Sequence, residues 1–137
     1  MTQQPIPIQR IVLVDDSEPD NVFHEAVLRR AGFDGDLQVF EHAEQALRYL
    51  RELPDGPVCL VLLDINMPGM DGWEFAQAAG PILQSKPTVV LVMLTSSSSE
   101  EDRRHAREIG CIHGFLTKPL TKQLAQDLLS GQPVPPA

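Results

Sequence analysis

Five polar residues stand where apolar runs stop, and their types suit one kind of chemistry. Asp15 and Asp16 follow the run at 11–14, Asp64 follows 58–63, Thr95 follows 88–94, and Lys118 follows 112–116. Three carboxylates brought to one edge would repel one another in a partly dry site, so the set needs a cation. Oxygen donors with no Cys or His cluster beside them suit a hard ion. Mg2+ takes a few carboxylates and completes its shell with water and phosphate oxygens. The Thr95 hydroxyl and the Lys118 ammonium add an anion-binding face. Together these groups suit phosphoryl transfer to an aspartate, and Asp64, the one acid that ends the most apolar run, is expected to do the chemistry.

Taken singly, each residue has a plainer use. Asp15-Asp16 could cap a helix, Thr95 a turn, and Lys118 could be a surface lysine. Only their common placement at strand ends makes them a set, so the elements must be read next. Residues 11–14 are apolar and β-branched, as suits a strand buried on both faces. Ser17, Glu18 and Pro19 start a first helix, with Val22, Phe23, Ala26 and Val27 on one face and Gly32 as its stop. Residues 37–40 read as a second strand. Ala43, Ala46, Leu47, Leu50 and Leu53 define an amphipathic second helix, ended by Pro54 and Gly56.

The third strand, 58–63, is the most apolar. Asp71 caps a third helix packed through Trp73, Phe75, Ala76, Ala79 and Leu83, which Gly80-Pro81 should break or kink late. The fourth strand is 88–94. The fourth helix, 99–109, carries only Ala106 and Ile109 as apolar residues, so its docking should be weak. The fifth strand is 112–116, and Leu120, Leu124 and Leu128 share one face of a last helix. Strand and helix alternate five times, which gives a doubly wound α/β fold: a parallel sheet with helices on both faces and right-handed crossovers. Ligands of such sheets lie beyond the carboxyl ends of the strands.

The bulk properties agree. The chain has 137 residues and 42% hydrophobic content, enough for one domain with a real core. A net charge of −8 and a pI near 4.8 argue against nucleic acid and anionic membrane as partners. Cys59 and Cys111 read as free thiols, and no apolar run is long enough to span a bilayer. Without a signal peptide, the expected location is cytoplasmic. His24, His42, His105 and His113 share no spacing and read as surface or satisfied residues.

The segments VLVDDS at 12–17, LLDINMPGMDG at 62–72, VMLTS at 92–96 and GFLTKPL at 114–120 together resemble a two-component response-regulator receiver domain. The likeness covers about residues 10–130, leaving a flexible tail at 1–9 and a Pro-rich one at 131–137. It implies a flavodoxin-like (βα)5 fold with strand order 2-1-3-4-5. It also implies that Asp64 takes a phosphoryl group from a histidine of a sensor kinase or phosphotransfer protein. Asp16 and Asp64 would ligate Mg2+ directly, Asp15 through a water, and Asn66 through its backbone carbonyl. Thr95 and Lys118 would bind phosphoryl oxygens, with a cis peptide before Pro119. Thr95 and Phe115 would form the switch: Thr95 moves inward, Phe115 turns into the space left, and partners read the face of the fourth helix, fifth strand and fifth helix.

The expected role is a stand-alone regulator, monomer or homodimer, and not an enzyme beyond its own phosphorylation and dephosphorylation. It is similar to short receivers that serve sensor kinases, including bacterial phytochrome kinases. The competing expectation is a small Mg-dependent phosphohydrolase with an aspartyl-phosphate intermediate. Such enzymes resemble DxDx[TV] at the nucleophile, and Asn66 stands where the second Asp would be.

Overall fold

The computed structural model describes residues 8–96 and 99–131. Five strands and five helices alternate: β1 (Ile8–Val14), α1 (Glu18–Arg30), β2 (Asp36–Phe40), α2 (Ala43–Glu52), β3 (Val58–Leu63), α3 (Gly72–Ser85), β4 (Val89–Thr95), α4 (Glu100–Ile109), β5 (Gly114–Thr117) and α5 (Lys122–Leu129). The strands form one parallel sheet in the order β2-β1-β3-β4-β5. The winding direction reverses between β1 and β3, the expected position for a ligand crevice.

Alternation along each strand divides the core into two layers. Val12, Val14, Val61, Leu63, Leu91 and Met93 face α2, α3 and α4. Ile11, Leu13, Leu60, Leu62, Val92 and Leu94 face α1 and α5. The central strands are therefore apolar on both faces, as a sheet covered by helices requires. Ala43, Ala46, Leu47 and Leu50 of α2 are all buried, and Leu53 follows them into the core. Cys59 and Cys111 are free, and burial pushes the Cys59 thiol up to about 11. No helix among the described residues is long and apolar enough to cross a membrane.

Several local expectations are corrected. The inward face of α1 is Asn21, His24, Val27 and Leu28, while Val22 is 62% and Phe23 49% exposed. Hydrophobicity misled here because this face lies beneath a polar edge: Asn21 Nδ2 donates to the Asp15 carbonyl at 2.8 Å. β1 starts at Ile8, so Ile8 and Gln9 belong to the strand rather than to the expected tail; residues 1–7 and 132–137 lie outside the described residues. β5 starts at Gly114, not at Ile112. His113 stands in for a strand residue there. Its N–H donates to the Leu91 carbonyl at 2.7 Å, and its ring Nδ1 accepts from Leu91 N–H at 3.1 Å.

α3 runs through Gly80-Pro81 to Ser85 without breaking. Pro81 is exposed, so the carbonyl it leaves unpaired one turn earlier can face water. Leu120 is buried but precedes α5, whose cap is Thr121 and whose buried residues are Ala125 and Leu128.

The thin apolar face of α4 is as expected: Ala106 is its one buried residue among those described. Ring contacts supply much of the rest. His105 stacks on Trp73 of α3 with centroids 4.2 Å apart, and the Arg103 guanidinium lies 4.7 Å from the Phe115 ring centroid. Such contacts are worth about 0.5–1.5 kcal/mol each, less than a buried leucine. By hydrogen-exchange mass spectrometry the α4 amides should exchange faster than those of α2 and α3; equally slow exchange would refute the weak docking of α4.

Candidate functional site at the carboxyl edge of the sheet

The strand register brings the acids together. Val14 pairs with Leu63 across β1 and β3, so Asp15 and Asp64 leave the sheet side by side. Backbone hydrogen bonds continue one step beyond the strands: Asp64 N–H donates to Val14 O and Asp15 N–H to Phe40 O, both at 3.0 Å. Asp16 follows and is exposed, whereas Asp15 and Asp64 are buried. Ligand oxygens of Asp15, Asp16 and Asp64 lie within 4.8 Å of one another. At that separation two carboxylates repel by about 3.5 kcal/mol for an effective dielectric near 20.

The proton equilibria show the strain. Burial first, and then the Asp15 charge, push Asp64 from 3.8 up to about 6. Lys118, the Ile65 N–H and the Thr95 hydroxyl act the other way but do not cancel this. Thr95 is fully buried at the end of β4. Its pairing with Thr117 sets Lys118 next in line, and Lys118 N–H donates to the Thr95 carbonyl at 2.8 Å. The Lys118–Pro119 peptide is cis.

The Lys118 ammonium lies 2.6 Å from Asp15 Oδ2, 2.8 Å from Asp20 Oδ2 and 3.7 Å from Asp64 Oδ1. Burial alone would lower the pKa of Lys118. The hydrogen bonds to Asp15 and Asp20, with the charges of Asp64 and Asp15, outweigh burial and raise it. One ammonium among four carboxylates leaves the edge negative. An all-oxygen set of three close carboxylates, one open to solvent, fits a hard divalent cation of the Mg2+ kind.

The Response regulator receiver domain family model matches residues 11–129. The chain belongs to the response-regulator receiver family. Receivers are signalling phosphoacceptors, and they bind Mg2+ at an acidic pocket. This receiver is 30% identical over 122 residues to the chemotaxis protein CheY of Halobacterium salinarum, covering 89% of this chain and 94% of that one. It is 30% identical to the two-component response regulator ORR1 of Oryza sativa subsp. japonica, covering 92% of this chain but 56% of that one. It matches 6% of hybrid signal transduction histidine kinase B of Dictyostelium discoideum, so it spans only part of several curated relatives. Two solved structures share its fold at a TM-score of 0.69. The bacteriophytochrome response regulator AtBRR is 30% identical, covering 90% of this chain and 93% of that one. The Mn(2+)-bound form of response regulator Rcp1 is 27% identical, covering 88% and 91%.

Of the residues singled out from sequence, Asp15, Asp16, Asp64, Thr95 and Lys118 converge at this receiver's carboxyl edge. Asn66 stands exposed two residues beyond Asp64, on the loop between β3 and α3. Phe115 is already buried, at 1% exposure, beneath Arg103. A groove of about 860 Å³ lies elsewhere: it runs between α3 and α4 past Leu83, Ile109 and Cys111. We place the site at the acids because charge and reactive groups converge there and not in that groove. Under the acids is a void of about 10 Å³, lined by Asp15, Asn21, His24 and Asp64 among others. Asn21 Oδ1 is buried without a hydrogen-bond partner. Burial, and secondarily Lys118, lower the pKa of His24.

Four contributors escaped the sequence reading: Asp20, Asn21, Arg103 and Gly72. Asp20 and Asn21 looked like ordinary first-turn polar residues. Gly72 had a visible signal, a glycine directly after the Asp71 cap. Asp71 and Glu74 form a reciprocal capping box, and Gly72 N–H donates to Ile65 O at 2.8 Å. A Cβ on Gly72 would overlap the Asp64 carbonyl oxygen and come 2.8 Å from Ile65 Cα. Gly72→Ala should therefore cost about 3 kcal/mol in urea unfolding and displace the Asp64 loop; a loss below about 0.5 kcal/mol would show that α3 need not approach so closely.

Proposed function

We propose that Asp64 accepts a phosphoryl group from a phosphohistidine of a sensor kinase or phosphotransfer protein. What supports this is the convergence of Asp15, Asp16 and Asp64 with Thr95 and Lys118 on one open edge. A carboxylate oxygen of Asp64 attacks phosphorus. The P–N bond breaks, and its electron pair returns to the imidazole nitrogen, which takes a proton from solvent. Asp15, Asp16 and Asp64, with the Asn66 carbonyl, are the residues that would hold Mg2+. Bound there, Mg2+ would offset the charge of the acids and of the phosphoryl oxygens. The Thr95 hydroxyl and the Lys118 ammonium bind the remaining oxygens. The Mn(2+)-bound form of the Rcp1 neighbour supports a divalent ion, and the hybrid kinase relative supports a kinase partner.

The output follows from Thr95 and Phe115. Phe115 already lies inward here, so the signal passes as a shift of its ring against Arg103, which moves the weakly docked α4. A phosphohydrolase reading lacks its general acid, because Asn66 occupies that place.

Labelling with a small-molecule phosphodonor tests the proposal. The expected result is one equivalent of acid-stable, base-labile phosphate that requires Mg2+ and is absent in Asp64→Asn. Many turnovers of a phosphomonoester per protein, or label that survives Asp64→Asn, would overturn it.

A further inference from the structure

Lys118 has three N–H groups to place. One reaches Asp15 Oδ2 at 2.6 Å and one Asp20 Oδ2 at 2.8 Å, while Asp64 Oδ1 at 3.7 Å is beyond hydrogen-bond reach. Asp20 lies outside the set of three close carboxylates. It sits in the first turn of α1, where its N–H donates to the Ser17 hydroxyl at 3.4 Å, so the helix start aims its carboxylate. The pair spans the rim of the site: the Lys118 side chain is 13% exposed and that of Asp20 43%. The Lys118 hydrogen bond holds Asp20 below the usual carboxylate range. A phosphoryl group on Asp64 offers new oxygens to the same ammonium, and the Asp20 contact pulls that ammonium away from them.

We propose that Asp20 is a positioning residue that holds Lys118 off the phosphoacceptor and competes with phosphoryl oxygens for it. This rests on the reading of Asp64 as phosphoacceptor. Asp20 thereby opposes phosphorylation and favours its reversal. The opposition is modest because the pair is partly exposed, and water screens what it gains. Removing Asp20 frees Lys118 for the phosphoryl group without touching the acids that would hold the metal.

Beryllofluoride with Mg2+, titrated into the full chain and read by calorimetry, tests this. Asp20→Asn should bind the probe about threefold to tenfold tighter than the wild type, the scale of one rim ion pair. The gain should vanish when Asp20→Asn is made in a Lys118→Ala background. Equal affinity of Asp20→Asn and wild type would overturn the proposal. So would a gain that persists without Lys118, since that would be a general charge effect. Asp64→Asn run in parallel separates the two readings: binding indifferent to Asp64 refutes the phosphoacceptor reading alone. The Lys118–Asp20 pair is read independently from the Lys118 Nζ nitrogen resonance of the probe-free protein. Asp20→Asn should shift it, and an unmoved resonance would refute the pairing itself.

Discussion

Like-charge repulsion at the carboxyl edge is the constraint on which this receiver's design depends. Asp15 and Asp64 are buried next to each other because β1 and β3 are register-paired neighbours in the centre of the sheet. The Ile65 N–H and the Thr95 hydroxyl relieve that arrangement only in part. Lys118 answers part of the charge but spends its closest contacts on Asp15 and Asp20. Asp64 is left with a raised pKa, so its ionised form is costly in the folded state. Because the folded value lies above the unfolded one, the cost is absent at low pH, where the carboxyl is protonated in both states. It grows as pH rises from about 4 and is complete above about 6. A divalent cation held by the acids would relieve it. The same cost that destabilises the bare site would favour a bound cation.

The rest of the chain holds that strain in place. Both faces of the central strands are buried, which fixes their register and therefore the positions of Asp15, Asp64 and Thr95. The α3 start is pressed against the Asp64 loop at Gly72 and locked by the Asp71–Glu74 box. The outward elements are looser. α4 is held by Ala106, by the partly buried Ile109 and by two ring contacts, His105 on Trp73 and Arg103 on Phe115. A rigid acid edge thus lies beside a lightly held helix.

Most of the fold was legible because apolar runs and their stops are local signals. The five strands, the α2 face and the Asp71 cap follow from periodicity and from single capping residues. The convergence of Asp15, Asp16, Asp64, Thr95 and Lys118 was legible too, because a parallel sheet sends every strand's end to the same edge. What escaped depends on contacts distant in sequence. The Lys118–Asp20 pair joins residues 98 apart. The inward face of α1 is polar because of what lies above it, and a periodicity search favours Val22 and Phe23 instead. His113 replaces a strand residue with its ring, which no propensity anticipates. Phe115 could be placed in the core or at a switch by type alone, and its cover by Arg103 is a tertiary fact.

The cost of ionising Asp64, set by burial first and then by the Asp15 charge, can be measured directly. Carbon-13 NMR of the Asp64 carboxylate, titrated with and without Mg2+, reports its proton affinity at the site. Without metal the carboxylate should titrate near 6, and saturating Mg2+ should carry it well below that. A metal-free value near 3.8, or one that Mg2+ leaves unmoved, would contradict a site built on uncompensated charge.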